Sequence, residues 1–172
     1  MALSACVAVG RYVDRYRVAS CFAMARVTLG DAIATAERAH GKRVIDIEYE
    51  EDNEANCDED EVGHYHVTLY ADGQLDHAVV DAGALHVDPP HDEGYFAHLF
   101  KPSDAEMSRI GEAANRVRIS LGTAVEIAER GGGRAMAAYI VNDAPTLKYA
   151  IKLFPNGQPG VVLIDGETGT LQ

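Results

Sequence analysis

Histidine and carboxylate side chains that could bind a metal are concentrated in one stretch of this chain. Residues 44–100 contain sixteen carboxylates, six of the seven histidines, and no lysine or arginine. Imidazole together with carboxylate suits Zn(II) or Cu(II). The candidate ligands within this stretch are His64, His66, His77 and Asp81.

A predicted tight turn would bring these four side chains to one face of a hairpin. Asp72-Gly73 lies between two alternating segments and is a strong signal for a two-residue turn. Such a turn fixes the register, because side chains alternate between faces along each strand. The expected pairs are Thr68 with His77, His66 with Val79, and His64 with Asp81.

A second interpretation of the same residues is a polar, solvated sheet face that binds nothing. Cross-strand spacing alone does not complete a coordination shell. The four aligned positions in the second half of the chain also hold a different set, which would restrict any metal to the first half: Lys148, Ala150, Val161 and Asp165.

Other chemistry finds little support in the sequence. The acidic run at residues 52–61 places oxygen ligands at alternate positions, but Cys57 stands where an EF-hand loop needs glycine and Gly63 where it needs glutamate. The sequence has no Gly-x-Ser-x-Gly elbow, no His-Glu-x-x-His and no phosphate loop. We therefore expect a protein that is not an enzyme and has no obligatory cofactor.

Two halves of the chain repeat one pattern. Residues 27–41 and 119–133 are identical at seven of fifteen positions, and residues 65–74 resemble residues 149–158. Each copy begins with an apolar stripe at helical spacing after a capping residue, predicting helices at 28–40 and 120–131. Alternating segments and the turn signals Asp72-Gly73 and Asn156-Gly157 then predict strands. The predicted fold class is α+β: two repeated units, each a helix packed on a small antiparallel sheet in the order α-β-β-β.

The motifs of each copy resemble the PepSY domain family. They are a Val/Ile-Thr/Ser-Leu-x-x-Ala helix start, a helix ended by glycine, alternating strands, and a closing Ile-Asp-x-x-Thr-Gly-x-Leu that the second copy carries at Ile164–Leu171. The first copy has only the shorter Val80–Leu85 and is the divergent one. The resemblance implies a non-catalytic, periplasmic or extracellular module, similar to the propeptides of thermolysin-type peptidases, and no catalytic residues.

The sequence predicts four segments. The first is an N-terminal extension at residues 1–26, without an intact signal peptide, which is either a remnant of a targeting segment or a misassigned start. The repeats are residues 27–87 and 119–172. Between them, residues 88–118 form a linker with a connector helix that starts near Ser103. Since the repeat pattern begins only at Val27, we expect residues 1–23 to be dispensable for folding.

The composition of the chain limits which partners it can have. A formal charge of −12 argues against nucleic acid as a partner, and no segment is predicted to span a membrane. Three cysteines are too few for a disulfide framework. The leading hypothesis is a module that binds or restrains a peptide or peptidase in the envelope, through a sheet edge or the groove beside a helix. The alternatives are an envelope metal-binding or sensing protein, which chelators would affect, and a scaffold for a larger assembly.

Overall fold

The fold is described from a computed structural model that covers residues 20–51, 62–88, 103–143, 146–154 and 160–172. Its helices are α1 (residues 20–24), α2 (Leu29–His40), α3 (Asp104–Ala114) and α4 (Leu121–Arg130). Its strands are β1 (Arg43–Glu50), β2 (His64–Ala71), β3 (Gln74–Asp81), β4 (Val87–Asp88), β5 (Arg134–Asp143), β6 (Thr146–Phe154) and β7 (Gly160–Asp165).

Capping side chains set the starts of the two repeat helices. The Thr28 hydroxyl accepts a hydrogen bond from the Asp31 N–H, and the Ser120 hydroxyl accepts one from the Thr123 N–H. Gly41 ends α2 with φ of +65°, a left-handed conformation that glycine adopts without strain. The predicted helices are confirmed, and each buries the alanine-rich stripe that its spacing indicates.

The seven strands of the described residues form one antiparallel sheet of order β4-β3-β2-β1-β5-β6-β7. The fold class α+β is confirmed, but the two expected small sheets are joined edge to edge because β1 pairs with β5. Helix α2 packs on β1 and β2, α4 packs on β5 and β6, and the helices contact each other. One continuous core results, in which the largest side chains include Tyr65 and Tyr149.

Matching hydrogen bonds stabilise the two halves. The Tyr65 hydroxyl donates to the Val27 carbonyl just before α2, and the Tyr149 hydroxyl donates to the Ile119 carbonyl just before α4. Desolvation by burial raises the pKa of both phenols to about 12, so both donate at any physiological pH. Each tyrosine therefore ties the start of a helix to the middle strand of its own half.

The predicted connector helix is present as α3 and lies at the end of the sheet where β1 begins. Its buried face contains Met107, Ile110 and Ala114. A side chain at Gly111 would meet the Tyr70 ring at 2.2 Å, so only glycine permits this approach. The predicted turn at Asn156-Gly157 lies outside the described residues, as do the acidic run at 52–61 and most of the linker.

The N-terminal segment departs from the sequence-based expectation. Cys21, Phe22 and Ala25 were assigned to an extension, but they are buried in the core. Phe22 makes edge contacts with the rings of Tyr49 at 5.0 Å and Phe154 at 6.2 Å between centroids. Cys21 is disulfide-bonded, and the other two cysteines of the chain lie outside the described residues.

Candidate functional site

The predicted register of the β2-β3 hairpin is confirmed. Thr68 pairs with His77, His66 with Val79, and His64 with Asp81. Asp72 and Gly73 both have positive φ, as a two-residue hairpin turn of this kind requires. The four predicted ligands therefore lie on one face of the hairpin.

Only two of those four side chains converge. The Nε2 atoms of His64 and His66 are 2.9 Å apart, with their rings nearly perpendicular. The third group at this point is Glu50 of β1, whose Oε2 lies 2.9 Å from His66 Nε2. The three ligand atoms lie within 4.8 Å of one another, and the side chains are partly exposed. In the described ranges this is the group of ligating side chains that could hold a metal ion.

Asp81 and His77 have other contacts. Asp81 Oδ1 accepts the backbone N–H groups of Gly83 and Ala84, at 2.6 and 2.7 Å, and so shapes the turn after β3. Asp165 at the aligned position accepts the N–H groups of Glu167 and Thr168 in the same way. This equivalence identifies Asp81 as a turn residue.

His77 lies near Thr68, with 3.5 Å between its Nδ1 and the Thr68 hydroxyl, at an exposed position beyond the cluster. Of the other histidines, His86 contacts Asp88 at 3.2 Å and His40 ends α2, while His91 and His98 lie outside the described residues.

Glu50 was missing from the predicted ligands because the sequence does not fix the register of its strand, β1, against β2. A two-residue turn sets the register of β2 against β3, but residues 51–63 separate β1 from β2. In the structure Glu50 pairs with His64, and Glu48 pairs with His66. The available signal was the acidic face of β1, where carboxylates alternate with buried apolar residues.

Gly63 allows the two strands to approach at the cluster. A Cβ at Gly63 would lie 2.5 Å from the Glu50 carbonyl oxygen and 2.8 Å from the Tyr49 hydroxyl. The residue also has φ of +91°, which disfavours other side chains. His64 thus starts β2 directly opposite Glu50.

The second candidate site is the outer edge of β7, one end of the sheet. Its first four residues are Gly160-Val-Val-Leu163, and Val161 is 58% exposed. The Asp165 N–H donates to the Thr170 carbonyl, and the Gln172 N–H donates to the Leu163 carbonyl, so the C-terminal residues cover only the end of this edge. By strand alternation the N–H groups of Val161 and Leu163 point outward as well, and no residue in the described ranges accepts from either.

The opposite edge is charged and partly covered. Strand β4 pairs with Val79 and Val80 of β3. Farther along β3, Asp76 contacts His40 at 3.2 Å and Lys42 at 3.3 Å. Burial alone would raise the pKa of this carboxyl, but hydrogen bonds from the His77 N–H, Lys42 and His40, together with the charge of Lys42, hold it below its ordinary value. Charges of this kind discourage strand pairing, so β7 is the more accessible of the two edges as far as the described residues show.

A solved structure aligns with most of this chain at low sequence identity. A crystal structure of a candidate lipoprotein from Clostridium difficile 630 aligns with 86% of this chain and 91% of its own, at 17% identity and a TM-score of 0.45. No curated protein matches the sequence. Within the described residues, no helix is both long and apolar enough to cross a bilayer.

The family comparison falls on the first half of the chain. The family model described as "Peptidase propeptide and YPEB domain", or PepSY, matches residues 26–83. The match covers the half that lacks the full closing motif and does not extend to residues 119–172, so the tandem arrangement remains a prediction from the sequence. Domains of this family are generally non-catalytic modules of the propeptide or inhibitor type. Over residues 26–83 this chain is therefore similar to the PepSY family.

Proposed function

We propose that this protein is a non-catalytic binding module of the cell envelope or extracellular space, which holds an extended segment of a peptide or peptidase along β7. The observation that carries the proposal is the uncharged outer edge of Gly160-Val-Val-Leu163, with outward N–H groups and an exposed Val161. An extended segment that adds to such an edge gains main-chain hydrogen bonds, while pockets for alternate side chains give specificity.

A substitution on this edge can distinguish main-chain pairing from simple apolar contact. The outward N–H of Val161 does not take part in the β6-β7 ladder, because that ladder uses the alternate residues of β7. Proline at position 161 would therefore remove a donor for the partner and leave the fold's own hydrogen bonds intact. The segment along β7 is expected to pair by its backbone, so Val161→Pro should weaken binding.

The location of the protein is supported by two observations. Residues 26–83 match the family model described as "Peptidase propeptide and YPEB domain". Cys21 is buried and disulfide-bonded, and structural disulfides persist in oxidising compartments such as the periplasm and the extracellular space. We infer an envelope or extracellular location.

Two probes test the function: an inactivated thermolysin-type peptidase, and a library of eight-residue extended peptides. Binding should slow amide hydrogen exchange at Val161 and Leu163, and Val161→Pro should reduce affinity at least about 10-fold through loss of one outward hydrogen bond and its neighbours. His77→Pro is the control on the opposite edge: its N–H also faces away from the β2-β3 ladder, and the substitution removes the hydrogen bond that this N–H donates to the Asp76 carboxylate.

The two probes can give three different outcomes. Protection confined to β7, with loss of binding in Val161→Pro and not in His77→Pro, supports the proposal. Binding that protects α2 or α4 instead would place the partner in the groove beside the helices. If neither probe binds at submillimolar concentration, the proposed function is wrong.

A further inference from the structure

In the cluster of Glu50, His64 and His66, protons alone cannot turn both contacts of His66 into hydrogen bonds. His66 Nε2 lies 2.9 Å from Glu50 Oε2 and 2.9 Å from His64 Nε2. An imidazole Nε2 has one position for either a proton or a lone pair. If His66 Nε2 carries a proton, that proton can lie along only one of the two contacts.

The other protonation state does no better. If His66 Nε2 is bare, its single lone pair can accept one hydrogen bond, and an ionised Glu50 then faces it without an intervening proton. No arrangement of protons therefore gives both contacts a full hydrogen bond. A cation resolves the conflict, because the carboxylate and both neutral imidazoles would direct lone pairs at one centre.

The spacing of the three atoms is compatible with a first-row metal. Ligand atoms about 2.0–2.1 Å from Zn(II) lie roughly 2.9 Å apart at a bond angle near 90° and about 3.4 Å apart at the tetrahedral angle. The two 2.9 Å separations here are at the short end of that range, and all three atoms lie within 4.8 Å of one another. Modest side-chain rotation would complete the geometry.

The electrostatic surroundings favour a cation. Residues 44–100 contain no lysine or arginine. A nearby ammonium is that of Lys152 on β6, which contacts Glu48 at 3.6 Å and not Glu50. Two neutral imidazoles and one carboxylate would carry a net charge of −1, which a divalent cation overcompensates only slightly.

We propose that Glu50, His64 and His66 form a binding site for a divalent transition metal, Zn(II) or Cu(II), at the end of the β1-β2 strand pair. The three side chains supply one carboxylate oxygen and two imidazole nitrogens. Because they are partly exposed, at least one further coordination position faces solvent. An exogenous ligand, such as water or a carboxylate, can occupy it.

Isothermal titration calorimetry of the full-length, disulfide-intact protein with Zn(II) and with Cu(II) tests the proposal. One equivalent should bind saturably at micromolar concentration. His66→Ala removes the ligand shared by both contacts and should weaken binding at least about 100-fold, and Glu50→Gln should also weaken it. His77→Ala is the matched control, a histidine on the same face outside the cluster, and should change affinity less than about 3-fold.

Circular dichroism of each variant, recorded with its thermal midpoint, separates lost ligation from lost folding. Electron paramagnetic resonance of the Cu(II) complex should show nitrogen hyperfine coupling that His66→Ala reduces. Absence of saturable one-to-one binding to either metal overturns the proposal. So does equal weakening by His66→Ala and His77→Ala, or undiminished binding in a folded His66→Ala variant, which would place the metal on the acidic residues.

Discussion

Replacing Phe22 with alanine tests whether the N-terminal segment is part of the fold. Phe22 is 2% exposed and contacts the rings of Tyr49 and Phe154. The Arg134 guanidinium lies over its ring at 4.7 Å and donates to the Phe22 carbonyl at 3.1 Å. Phe22 therefore packs against β1 of one half and against β5 and β6 of the other.

Truncation to alanine would remove nearly all of this buried ring and leave a cavity between the halves. Buried phenylalanine to alanine substitutions cost about 3–5 kcal/mol, which is a large part of the stability of a domain this size. Because Arg134 also donates to the Val27 carbonyl at 2.7 Å, some of its contacts would survive. We therefore expect a loss of about 3–4 kcal/mol rather than the upper limit.

Urea unfolding followed by far-ultraviolet circular dichroism measures this loss, since the chain has no tryptophan. Met24→Ala is the matched control from the same segment, because Met24 is 37% exposed and should cost less than about 1 kcal/mol. A loss below about 1 kcal/mol in Phe22→Ala would refute the packing argument. It would also restore the earlier expectation that residues 1–23 can be removed without harm.

Two further predictions concern the covalent and the acidic elements of the fold. Reduction of the Cys21 disulfide, or Cys21→Ser, should lower the free energy of unfolding by about 2–4 kcal/mol. Non-reducing peptide mass spectrometry should show one bridge and one free thiol among the three cysteines. Three free thiols in the native protein would contradict this prediction. Hydrogen bonds from Thr168 and Glu167 hold the pKa of Asp165 below its ordinary 3.8, so its contribution to stability is complete above pH 3.8 and is lost as the pH falls through the lower folded pKa. Asp165→Asn should be less stable than the wild type at pH 7, and the difference should vanish at low pH; a difference independent of pH would refute this assignment.

Local features of the fold could be predicted because their causes are local in sequence. The hydroxyls of Thr28 and Ser120 cap their helices from three residues away, and the two-residue turn at Asp72-Gly73 fixes the register of a whole hairpin. Each prediction depended on groups separated by a few bonds. Each was confirmed without knowledge of the rest of the chain.

Pairing between distant segments could not be predicted in the same way. The contact of β1 with β5, through Ile47 and Ala138 among others, joins the halves into one sheet. Nothing in either strand's alternation distinguishes this pairing from an exposed edge. The burial of Phe22 was missed for a similar reason, because its partners come from both halves and the segment repeats in neither.

The two halves of the sheet can be compared position by position, because their strands pair in the same way. Val141 pairs with Lys148 in the second half, as Glu50 pairs with His64 in the first. Tyr139 pairs with Ala150, as Glu48 pairs with His66. The positions of the three proposed ligands are thus occupied by Val141, Lys148 and Ala150, none of which would coordinate a metal at neutral pH. Since the same backbone arrangement accepts an apolar, a basic and a small residue, the fold does not require the Glu50, His64 and His66 cluster, which agrees with the proposal that the cluster serves a ligand.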